Sequence, residues 1–64
     1  DMAEPYCRKI LELGSERDKF RACELLQSVG TEASMPILEK LAQGDDSRLK
    51  KVAERTIRKI KSSQ

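Results

Sequence analysis

Moved along by 31 positions, this sequence lies over itself. Pro5 falls on Pro36, Tyr6 on Ile37, Cys7 on Leu38, Lys9 on Lys40 and Ile10 on Leu41. The same offset carries Lys19 to Lys50, Ala22 to Ala53, Leu26 to Ile57 and Val29 to Ile60. A period of this size marks one supersecondary unit whose apolar face is covered only when neighbouring copies pack on it. The fold is therefore expected to be two copies of one unit, 3–29 and 32–61, forming a single domain over 1–64.

The unit reads as a helical hairpin. Breaks at Gly14-Ser15, Gly30-Thr31 and Gly44-Asp45-Asp46 pair a glycine, expected at a left-handed helix C-cap, with a Ser, Thr or Asp that can cap the next helix. Between them lie four segments, 3–13, 16–29, 32–43 and 47–61. In the last, Leu49, Val52, Ala53, Thr56, Ile57 and Ile60 recur at spacings of three and four, one stripe of a 3.6-residue helix. Asp45 and Asp46 precede it and Lys59 and Lys61 close it, as the helix dipole favours. The second segment carries Ala22, Leu25, Leu26 and Val29, widened by Phe20 and Cys23. The third has Ile37, Leu38, Leu41 and Ala42, and the first Tyr6, Cys7, Ile10, Leu11 and Leu13. Hydrophobic and charged residues each make up 38% of the chain, and Tyr6 and Phe20 are its only aromatics, a balance that suits striped helices and not a sheet. The expected core is Ile10, Leu13, Ala22, Leu26, Val29, Ile37, Leu38, Leu41, Val52, Ala53, Ile57 and Ile60.

Two stretches carry a family likeness. Residues 30–41, from Gly30-Thr31 through Pro36 to Leu41, look like the opening turn and second helix of a HEAT-like repeat. Asp45-Asp46-Ser47-Arg48-Leu49-Lys50-Lys51-Val52-Ala53 looks like the acidic turn and opening of that repeat's first helix. The chain resembles the short repeats of the phycobilin-lyase type, in the order second, first, second, first helix. Asp18 departs where the family prefers an aliphatic residue, and Lys61 where it often has Gly. The resemblance implies an all-α, right-handed solenoid fragment, the terminal piece of a longer array, and it implies protein–protein interaction or scaffolding as the function. In such arrays the second helices line the concave, partner-binding side. Tetratricopeptide repeats place their Pro at the end of the second helix, which does not match Pro5 and Pro36. Leu25-Leu26-Gln27 before a basic last helix loosely resembles the N-terminal helical domain of transcription elongation factors, a likeness that leaves the 31-residue offset unexplained.

No catalytic grouping is visible, and the expectation is a non-catalytic chain without cofactor or metal. There is no His to move protons, and Cys7 and Cys23 have no His to activate a thiolate. Two thiols fall short of the four ligands of a structural zinc site. Each sits among helical apolar residues, where a reduced Cys behaves as a small hydrophobe, which points to a reducing compartment, cytoplasmic or nuclear. No apolar run approaches the roughly 20 residues of a membrane span. The start Asp1-Met2-Ala3-Glu4 has no basic segment leading into an apolar core, and a chain beginning on Asp1 reads as a piece of something longer.

Two surfaces are candidates for binding. On the second helices, Glu4, Arg8 and Glu12 form an i, i+4, i+8 stripe, and Met35, Glu39 and Gln43 form its counterpart, both expected to point away from the apolar stripes. Residues 47–64 hold seven cations against Glu54 alone, a net of +6, while 1–46 hold six cations and ten carboxylates, a net of −4; together they give the chain's +2. Arg48, Lys51, Arg55, Arg58 and Lys59 make a basic patch able to meet an acidic protein, a nucleic acid or an anionic surface. No aromatic residue neighbours them in sequence for base stacking. The expected partner is a protein or a neighbouring repeat. Self-association through open repeat ends and nucleic-acid binding are the alternatives.

Overall fold

A computed structural model of the chain describes residues 3–62. They form four α-helices: α1 (Ala3–Leu13), α2 (Glu16–Val29), α3 (Met35–Ala42) and α4 (Ser47–Ser62), with a single 3-10 turn, Glu32–Ser34, leading into α3. No strand occurs among the described residues. The start Asp1-Met2 lies outside them.

Helices α2 and α4 and the 3-10 turn begin where a side chain offers their orphan N–H groups an acceptor. Ser15 accepts from the Asp18 N–H at 3.3 Å and Thr31 from the Ala33 N–H at 3.2 Å. Asp46 Oδ1 accepts from both Arg48 and Leu49 N–H at 3.0 and 3.2 Å. Those two N–H groups, the Leu49 one first, hold the Asp46 carboxyl below its usual range. Pro36 sits in the first turn of α3, where its missing N–H costs no helical bond.

The glycines work differently from expectation. None has a positive φ, and Gly30 is extended at φ −73°, ψ 151°. Its N–H still closes α2 on the Leu26 carbonyl at 2.8 Å. A side chain is excluded there by crowding: a Cβ would lie 2.5 Å from the Leu26 carbonyl oxygen and 2.8 Å from Ile60 Cδ1. Gly30 thus lets the end of α2 approach the end of α4.

That approach is part of a register. Gly30 lies against Ile60, Gln27 Nε2 reaches Thr56 Oγ1 at 3.5 Å, and Thr56 Oγ1 lies 3.1 Å from the Cys23 carbonyl. At the other end Glu16 and Phe20 share a cleft with Arg48 and Leu49. So α2 and α4 run side by side and parallel, about one repeat out of step, each with its hairpin partner, α1 or α3, packed on it. The dimensions are 28 × 22 × 16 Å.

The core is Cys7, Leu11, Ala22, Cys23, Leu26, Leu38, Leu49, Val52, Ala53 and Ile60, with Ser34 and Thr56 as its buried polar members. Ile10, Val29, Ile37, Leu41 and Ile57 are partly buried against it. Leu13, expected inside, is 76% exposed. The apolar residues of α1 cover two adjacent sides of that helix, and Cys7 and Leu11 take the inner one. Thr56 is tolerated at zero exposure because its hydroxyl, 2.7 Å from the Val52 carbonyl, shares its proton between that oxygen and Cys23's.

Candidate functional site

The expected second-helix stripes divide in the structure. Glu4 reaches across to the link between hairpins. Its Oε2 accepts from the Thr31 N–H at 2.8 Å and the Ser34 hydroxyl at 2.6 Å, and the Thr31 hydroxyl lies 2.9 and 3.0 Å from its two oxygens. The Ser34 hydroxyl, helped by Thr31, holds the Glu4 carboxyl below its usual range. Arg8 donates to the Ala33 carbonyl at 3.4 Å. Met35 is half-buried against the core. Glu4 and Arg8 therefore fasten α1 to the turn that leads into α3, and Met35 packs inward, while Glu12, Glu39 and Gln43 stay exposed. The physical reason is the closeness of the two helix starts, where the 3-10 turn presents N–H and hydroxyl donors to a facing carboxylate. Toward the opposite loops the hairpins leave a cleft of about 340 Å³, floored by Leu11, Ile37, Leu41 and Leu49 and rimmed by Glu12, Lys19, Lys40 and Asp45.

The basic patch is brought together more tightly. Leu49, Val52, Ala53, Thr56 and Ile60 of α4 face inward, while Arg48, Lys51, Arg55, Arg58 and Lys59 are all exposed. At 100° per residue these five cations fall within an arc of about 100°, and Lys50 and Lys61 lie on the flank beside Glu54. They form one ridge along the helix.

Beside that ridge runs a feature the sequence reading missed. A cleft of about 640 Å³ lies between the beginnings of α2 and α4, lined by Ser15, Glu16, Arg17, Phe20, Arg21, Glu24, Asp46, Arg48 and Leu49. Phe20, 37% exposed, is its aromatic wall. The Glu16 and Asp46 side chains meet within its lining. The signal was present in the offset itself. Shifting by 31 sets Arg17 on Arg48, Phe20 on Lys51 and Glu24 on Arg55, so parallel packing of α2 and α4 makes these rows neighbours.

A third surface is apolar. Tyr6, Leu13 and Leu25 are 65%, 76% and 48% exposed, and all three lie on the side of the first hairpin facing away from α4. Cys7 and Cys23, by contrast, are free thiols with no exposed surface. Burial, then the neighbouring Cys7 and Glu24, pushes the Cys23 thiol up to about 11; burial also raises Cys7. Neither is a poised nucleophile at neutral pH. Among the described residues no cluster of three His, Cys, Asp or Glu could hold a metal ion, and no helix is long and apolar enough to cross a membrane. Comparison of the chain with protein-family models, with curated proteins and with solved structures finds no match.

Proposed function

We propose that this chain is a non-catalytic protein-interaction module made of two HEAT-like hairpins, a piece of a solenoid whose units dock face to face. One observation carries the reading. The second hairpin docks on the first through Ile37, Leu41 and the buried Thr56 of α3 and α4. Their counterparts one repeat earlier are Tyr6, Ile10 and Leu25, which form the outer side of the first hairpin and leave Tyr6 65% and Leu25 48% exposed. The docking face is thus present twice and covered once. Lone exposed apolar residues need no explanation, whereas three large ones grouped on one face of so small a chain mark a contact surface.

The face is amphipathic: Asp18 and Arg21 stand where the second hairpin has Leu49 and Val52. A partner seated there meets an apolar strip along α1 and charges at the start of α2. Exposed Glu12, Glu39 and Gln43 on the second helices remain free to contribute on the other side of the hairpins.

The test is a chain carrying an extra copy of residues 1–31 ahead of Asp1, with Tyr6 of the added copy changed to Phe. The original Tyr6 is then the sole tyrosine. Docking of the added hairpin protects that tyrosine from acrylamide quenching and raises the melting temperature in a single transition. Undiminished quenching, with separate melting of the added copy, would refute the reading.

A further inference from the structure

We infer that the groove between α2 and α4 is a docking surface for an acidic segment of another protein that carries one large apolar side chain. The argument is independent of the outer face of the first hairpin and begins with charge. The ridge Arg48, Lys51, Arg55, Arg58, Lys59 contains no carboxylate, and Arg17 extends it across the cleft onto α2. Arg48, Arg55 and Arg58 offer planar forks that take carboxylates bidentately. The ridge is basic while the cleft beside it is balanced, Arg17, Arg21 and Arg48 against Glu16, Glu24 and Asp46, so the ridge selects the acidic residues of a partner and the cleft takes an uncharged one.

Phe20 adds the second requirement. It stands in the cleft wall with Leu49 behind it, beside arginines and still over a third exposed. An aromatic anchor rimmed by guanidinium groups is the composition of an interface centre. Its natural counterpart is one apolar side chain seated on the ring, with acidic neighbours reaching the ridge. From Arg48 to Lys59 the ridge rises about 16 Å, the span of about five extended residues. A short linear segment therefore matches it.

Nucleic acid suits the groove less well. Glu16, Glu24 and Asp46 line the same cleft, and Glu16 meets Asp46, so a phosphate backbone, charged at every step, runs into carboxylates when it follows the groove. One aromatic ring also gives stacking for one base only. A peptide can set its acidic residues along the α4 ridge and place only its uncharged apolar side chain in the groove, on Phe20.

The test uses the whole chain and three fluorescent probes: a peptide of three Glu, one Leu and three Glu; the same peptide with Ser for Leu; and a single-stranded oligothymidylate of comparable charge. Binding is read by anisotropy at about 50 and about 150 mM salt. The Leu peptide should bind at least about tenfold more tightly than the Ser peptide. Phe20→Ser should erase that difference, Phe20→Leu should keep it, and Arg48→Glu with Arg55→Glu should weaken both peptides by at least about tenfold. Circular dichroism melts show that each variant is folded, and the arginine pair carries the test should Phe20→Ser fail to fold. Equal binding of the two peptides overturns the proposal. So does an absence of saturation up to about 1 mM, or an oligothymidylate that binds more tightly than the Leu peptide through the same cations.

Discussion

Leu26→Ala and Leu13→Ala, made side by side, test the packing directly. Sequence pattern puts both leucines in the core, whereas the structure buries Leu26 completely and leaves Leu13 76% exposed at the end of α1. Leu26 packs within the central cluster, so its truncation removes apolar contact and opens a cavity, about 2–5 kcal/mol in comparable sites. A chain this size holds roughly 3–10 kcal/mol in all. Its unfolding entropy near the midpoint is about 0.13 kcal/mol/K, so a loss of about 3 kcal/mol lowers the melting temperature by about 20 °C. For Leu13, burying a whole leucine side chain is worth about 1.5–3 kcal/mol, and the quarter removed from water contributes about 0.4–0.7 kcal/mol. The expected drop is under about 5 °C. Thermal melts by far-UV circular dichroism read both. Equal destabilisation of the two variants, or a normal melt of Leu26→Ala, would refute the packing argument.

Further outcomes follow from particular contacts. Gly30→Ala should destabilise by about 1–3 kcal/mol, because its Cβ meets the Leu26 carbonyl and Ile60. Gly44→Ala, whose Cβ meets only the Leu41 carbonyl at 3.3 Å, should stay within about 0.5 kcal/mol; denaturant midpoints compare them, and a reversed order would contradict the close approach of α2 and α4. Glu4 has a folded pKa lowered by Ser34 and Thr31, so its contribution is present above the ordinary glutamate range and is lost as pH falls through the folded value. Glu4→Gln should therefore flatten the acid side of the stability–pH curve, and an unchanged acid limb would show that the contact is not formed. The raised thiols of Cys7 and Cys23 should react with a disulfide reagent at mildly alkaline pH only as fast as the chain opens, and faster in denaturant. An immediate two-thiol burst from the native chain would contradict their burial.

How far the sequence could be read depended on the range of the interaction. Helix limits came within a residue except at α3, expected from 32 and starting at Met35 after a 3-10 turn, since caps and stripes are local: Ser15, Thr31 and Asp46 accept the N–H groups that their positions promised. The glycines were read correctly as breaks and wrongly as left-handed caps. At Gly30 a Cβ is excluded by the Leu26 carbonyl four residues back and also by Ile60, 30 residues away, and the second of these no local rule carries. Glu4 and Arg8 looked like a solvated stripe for the same reason. Their partners Thr31, Ala33 and Ser34 lie 25 to 30 residues along the chain.

The sequence by itself determined that this chain is four helices, where three of them start, and which side of α4 is apolar, because propensity, capping and 3.6-residue periodicity act within a few turns. Only the tertiary structure decided that α2 and α4 lie parallel. That packing buries Cys7, Cys23, Leu11 and Thr56, leaves Leu13 outside, and sets Phe20 among Arg17, Arg21 and Arg48. An amphipathic stripe tells a helix which side to bury and is silent on which helix covers it. Side chains at the edge of a stripe become core or surface only when the neighbour's direction is fixed.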